Sequence, residues 1–218
     1  MSLLTASCFS NAALAQGVGS LPKPSATSTR ITSETVSTTV DSMYVGNLSP
    51  ADTAAAKLDA AVAASSKGDK AAASSALNAG VAAAEAQAAN SKGDFKEKLM
   101  GQAGNLKKLI PGVSSGLVGG GVLNKAVSLV KMALGANQIS NLLGGGGSLL
   151  GSVGALTGGL NLMKGALPAI GGGGAAGGSL INNALSSVSK LGGIGGAAAE
   201  PAVRQQLGGV LNFAKGIL

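Results

Sequence analysis

Beyond residue 110, glycine arrives in runs: at 144–147, at 171–174 and, with one interruption, at 192–196. The whole chain carries 36 glycines in 218 residues, more than twice the usual share of about 7%. A glycine run has no side chain to bury and loses more backbone freedom on ordering than any other sequence. The segments between the runs must therefore cohere by close backbone approach rather than by bulky side chains. Aromatic residues make up only 2% and there is no Trp, so the core has to be built from Ala, Leu, Val and Gly. A hydrophobic fraction of 45% and a mean hydropathy of +0.38 still argue for an ordered chain, because disorder goes with low hydrophobicity and high charge.

The same inventory excludes much chemistry. Histidine, the usual general base near neutrality and the commonest metal ligand, is absent, and Cys8 is the sole cysteine. A zinc site built on thiolates is therefore excluded. Nine acids are present, none paired where a shared cleft could be argued, and no Ser or Lys stands in a recognisable nucleophile setting. The sequence Gly172-x-Gly174-x-x-Gly177 matches a dinucleotide-binding pattern formally. It follows no expected strand and lies where glycine is the commonest residue, so it reads as coincidence. No catalytic, cofactor-binding or metal-binding residue is expected, and the chain reads as a non-enzyme.

Residues 3–15, LLTASCFSNAALA, are uncharged and end in Ala13-Leu14-Ala15, with Gln16 following. That is the pattern of a secretory signal peptide with a small-residue cleavage site. The basic segment that normally precedes the apolar stretch is missing, which an initiation site upstream of Met1 would supply. Acylation at Cys8 fits less well, because Thr5 stands where a lipoprotein signal wants Leu. Residues 16–48 follow as a Ser/Thr-rich segment: 12 of the 23 residues from Ser20 to Ser42 are Ser or Thr. Such a composition cannot offset its ordering entropy, so a flexible tether is expected.

Residues 49–110 read as three Ala-rich antiparallel helices. Ser49-Pro50-Ala51-Asp52 is a helix start, with Ser as N-cap, Pro at the first helical position and an acid in the first turn. Ser-Lys-Gly-Asp occurs at Ser66 and again at Ser91. In each copy Gly suits a left-handed C-terminal cap and the acid, Asp69 or Asp94, the next N-cap. The inward faces are Leu58 and Val62, then Leu77, Val81 and Ala84, then Phe95, Leu99, Ala103, Leu106 and Ile110, with Pro111 as the expected stop.

Residues 111–218 form a glycine-rich, apolar, basic unit. The net charge of +7 arises entirely from residue 101 onward, where eight Lys and Arg face the single acid Glu200. Four amphipathic segments are expected. They are marked by Leu123, Val127, Val130 and Leu134; by Leu149, Val153, Leu156, Leu160 and Met163; by Leu180, Ala184, Leu185, Val188 and Leu191; and, starting at Glu200-Pro201, by Val203, Leu207, Val210, Ala214 and Ile217. The glycine runs, with Gly177 and Gly178, are expected to link them. Gly147, Gly151, Ala155 and Gly159, four apart, suggest a small-residue stripe for close helix packing or self-association. The 32 uncharged residues from Met132 to Met163 have spanning length, but glycine dilutes their hydrophobicity.

The expected fold is thus all-α, with antiparallel helices in two units. The expected role is that of an exported structural or interaction protein of a bacterial envelope or exterior, located in the periplasm, on the outer envelope or outside the cell. The alternative is a membrane-active or pore-forming protein acting through the glycine-rich half. A basic, solvated face favours an anionic envelope component or a lipid surface as partner. Nucleic acid is not expected, since the cations are scattered and stacking aromatics are lacking.

Overall fold

Ser49 opens the first helix with a closed capping box. Its hydroxyl accepts from the Asp52 N–H at 3.2 Å, and the Asp52 carboxylate accepts from the Ser49 N–H at 3.3 Å. Proline at the next position loses nothing there, because its missing N–H would have had no helical partner. Seven helices follow among the described residues, which in this computed structural model are 49–171, 174–193 and 196–218. They are α1 (Pro50–Ser66), α2 (Lys70–Ala89), α3 (Asp94–Ser115), α4 (Gly120–Gly144), α5 (Val153–Ile170), α6 (Gly174–Leu191) and α7 (Gly196–Ile217). A 3-10 turn, Leu149–Ser152, precedes α5. The described part of the protein is all-α. The expected signal peptide and Ser/Thr-rich tether, residues 1–48, lie outside the described residues.

Successive helices run antiparallel, and their apolar faces meet in two core clusters. The first gathers Leu58 of α1, Leu77 and Val81 of α2, Leu99 and Leu106 of α3, and Leu123, Val127, Val130 and Leu134 of α4. The second gathers Met132, Ala136 and Ile139 of α4 with residues such as Leu160 and Met163 of α5, Ile181 and Val188 of α6, and Leu207 and Val210 of α7. Helix α4 belongs to both. From Met132 to Ile139 it carries eight successive buried residues, the mark of a helix packed on all sides rather than along one stripe. Each fully buried leucine contributes on the order of 1.5–3 kcal/mol.

Small residues let these helices approach. A Cβ placed on Gly159 would stand 3.0 Å from the Gly135 carbonyl oxygen, and one placed on Gly135 would run into the Gly159 carbonyl. The α4–α5 crossing is thus set by two facing glycines. Gly177 of α6 plays the same part against the Phe213 ring of α7.

Several boundaries differ from the sequence expectation. Helix α3 does not stop at Pro111 but continues to Ser115 with that proline inside it. Pro111 lies on the exposed face, where the Lys107 carbonyl it cannot bond is open to water. The expected division at 110/111 therefore falls inside a helix. Gly177 and Gly178 are not linker but helix: the Phe213 ring occupies the space a larger residue at 177 would need, whereas an added Cβ on Gly178 would meet nothing within 4 Å. Helix α7 begins at Gly196, ahead of Glu200-Pro201.

Candidate functional site

The expected cap residues take different roles. Ser49 caps α1, and Asp69 caps α2 by accepting from the Ala72 N–H at 2.9 Å. Asp94 does not cap α3. Gly93, at φ 83°, holds the N-cap position without a side-chain hydrogen bond, and Asp94 is the first helical residue. Its carboxylate instead accepts from Lys215 Nζ of α7 at 2.6 Å. That ammonium holds the Asp94 carboxyl below its ordinary value, by hydrogen bond first and by charge second.

The four residues of the expected small-residue stripe do not share one helix face. Gly147 lies in the α4–α5 loop and Gly151 in the 3-10 turn, both exposed and both with nothing within 4 Å of an added Cβ. Ala155 is half-buried, and only Gly159 packs closely. The stripe assumed one continuous helix, whereas the chain turns at Gly145–Ser152. The functional partner of Gly159 is Gly135, which sequence reasoning missed. Its signal was a lone glycine inside the uncharged segment Met132–Leu143. No helix among the described residues is long and apolar enough to cross a membrane.

Most of the described acids are engaged. Asp59 pairs with Lys131 at 2.8 Å, Glu85 with Lys107 at 3.3 Å, and Glu200 with Arg204 at 2.8 Å. Glu200 also accepts from the Leu149 N–H at 3.3 Å and from the Ser148 hydroxyl at 3.1 Å, while Arg204 donates to the Gly147 carbonyl at 2.6 Å. The pair therefore fastens the loop before α5 to α7. The Arg204 hydrogen bond lowers the Glu200 pKa; desolvation opposes it, and the Leu149 N–H and Ser148 hydroxyl add to it. Among the described residues no group of three His, Cys, Asp or Glu side chains lies together to hold a metal ion.

The two ends of the α1–α5 array differ in chemistry. At one end α1 begins, α2 ends, α3 begins and α4 ends. Here Asn137 Nδ2 donates to Ser91 Oγ at 2.5 Å, Asn141 Nδ2 reaches the same oxygen at 3.4 Å, and Ser91 donates to the Gln87 carbonyl at 2.6 Å. Buried Asn137 Oδ1 and Gln138 Oε1 find no hydrogen-bond partner among the described residues. Gln138 lines a polar cleft with Ser49, Asp52 and Gly154. The network ties α2 to α4.

The opposite end is apolar and basic. Lys70 Nζ donates to the Ser115 carbonyl at 3.4 Å, which sets the α1–α2 turn beside the α3–α4 turn. Leu117 is 87% exposed there and Val122 is 58% exposed. Comparison with protein-family models, curated proteins and solved structures gave no match.

Proposed function

We propose that the protein is a non-catalytic interaction protein that is exported and works at a bacterial envelope or exterior, against an anionic partner. One observation supports the non-catalytic reading: among the described residues, every side-chain carboxylate but Glu97 is committed to the scaffold. Asp52 and Asp69 close helix starts, and Asp59, Glu85, Asp94 and Glu200 sit in ion pairs. An anionic partner is supported by the basic excess beyond residue 100, since cations held on a solvated surface attract counter-charge over about a Debye length. Export is supported by the uncharged stretch ending at Ala13-Leu14-Ala15.

Mass spectrometry of the native protein tests this reading. The expected result is an N-terminus at Gln16 in the extracytoplasmic fraction. An intact Met1 in that fraction would remove the signal-peptide argument, and recovery from the cytoplasm alone would overturn the proposed setting.

A further inference from the structure

We propose that the two adjacent turns at residues 66–70 and 115–122 form a docking surface for an anionic phospholipid bilayer, with Leu117 and Val122 as its apolar contacts and Lys67, Lys70 and Lys125 as its cationic collar. The inference rests on the reading of the protein as an envelope interaction protein and names the partner that reading leaves open.

The exposure of Leu117 follows from how α3 ends. Gly116 turns left-handed at φ 81°; its N–H bonds the Val113 carbonyl at 3.1 Å, and the Leu117 N–H bonds the Gly112 carbonyl at 2.8 Å. In this helix-ending motif the residue at the Leu117 position usually lays its side chain on the residue at the Gly112 position. Glycine offers no side chain to cover. Its space is taken by Val118, whose Cγ2 an added Cβ on Gly112 would strike. Val118 is drawn in, and Leu117 is left projecting. Helix α4 then starts on the bare backbone of Gly119, Gly120 and Gly121, with exposed Val122 beyond.

Charge decides what such a tip fits. Lys67 and Lys70 are exposed in the α1–α2 turn, and Lys125 lies exposed one turn from Val122 on the same face of α4. Asp69 in the α1–α2 turn accepts from the Ala72 N–H and keeps its charge, so the three lysines face one anion and the tip carries a net positive charge. Three ammoniums around two projecting apolar side chains match an interface that has anionic headgroups above hydrocarbon. A soluble acidic polymer would satisfy the lysines and leave Leu117 in water.

The test is flotation of the full chain with vesicles of phosphatidylcholine alone or with one quarter phosphatidylglycerol. Binding is expected on the anionic vesicles and should weaken with added salt. Leu117→Ser should lower the partition coefficient about tenfold. Replacing Lys67, Lys70 and Lys125 by Gln should lower it about fivefold per lysine. A Cys8→Ser, Val122→Cys chain carrying an environment-sensitive dye should shift to shorter wavelength on the anionic vesicles. Leu117, Val122, Lys67 and Lys125 are exposed, so melting temperatures should hold for their variants. Lys70 also donates to the Ser115 carbonyl, so a triple variant that melts early is replaced by the Lys67→Gln, Lys125→Gln chain. The dye shift is read on a chain that keeps the wild-type melting temperature.

Absence of binding to either vesicle overturns the proposal. So does binding indifferent to Leu117→Ser, or equal competition by soluble polyphosphate against wild type and Leu117→Ser. A protein processed at Gln16 that ignores vesicles sinks the docking surface alone. An unprocessed cytoplasmic protein that binds them sinks the envelope reading alone.

Discussion

Lys215 joins two helix ends that lie 121 residues apart in sequence: its ammonium meets Asp94 at 2.6 Å and stands 5.7 Å from the centroid of the Phe95 ring. Because that ammonium depresses the Asp94 pKa in the folded state, the pair stabilises the fold above the ordinary carboxylate range. The contribution disappears as pH falls through the depressed folded-state value. Asp94→Asn should therefore lower the urea midpoint slightly at neutral pH and leave it level with wild type in strong acid. Glu200→Gln should behave alike, for the same sign of shift. A deficit that persisted in acid would mean that these carboxyls act through something other than charge. Sequence likeness between the turns at Asp69 and Asp94 suggested two caps and delivered one. The difference lies in Ser91, which is drawn into the core to meet Asn137. After that buried contact Gly93 rather than an acid precedes α3. No local pattern discloses a partner 46 residues away.

Glycine inside these helices serves two purposes that the sequence does not separate. At Gly135 and Gly159 it admits the facing backbone, whereas at Gly101 of α3 and Gly209 of α7 an added Cβ would meet nothing within 4 Å. Gly135→Ala and Gly159→Ala should each cost about 1–3 kcal/mol through overpacking. Gly101→Ala and Gly209→Ala should each stabilise by up to about 1 kcal/mol, because alanine has the better helix propensity. Urea unfolding of the four variants checks this, and equal effects across them would deny the close α4–α5 approach. The inward faces of the helices were legible, because three- and four-residue spacing of Leu and Val is a local property. Leu77, Leu99, Leu123, Leu160 and Leu207 are all buried as expected. Leu180 departs from its expected place and is 40% exposed, with Ile181 buried beside it. The rest of the expected α6 face holds: Ala184, Val188 and Leu191 are buried and Leu185 is half-buried, with Gly177 rather than Leu180 extending it toward Phe213. Helix ends were harder to read, since Pro111 and Pro201 suggest a stop and a start that exposure to solvent lets the chain override.

Helix α4 gives the molecule its order. It lends Leu123, Val127, Val130 and Leu134 to one core cluster and Met132, Ala136 and Ile139 to the other. The apolar faces meet in two core clusters that share α4 and, through Phe95, the start of α3, a relation that a change in glycine content cannot reveal. Amides that need global unfolding to open lie in the most enclosed elements, so hydrogen exchange should be slowest across Met132–Ile139 and faster toward Leu117 and Val122. Uniform exchange along α4 would contradict its central place. The shared helix also bears on the order in which a ribosome delivers the chain. Once α4 has emerged, the helices before it can close on one of its flanks, while Met132, Ala136 and Ile139, with only Phe95 of α3 from the earlier helices in their cluster, wait for α5, α6 and α7. During that interval the nascent protein shows a sticky flank that its own later residues must reach before another molecule does.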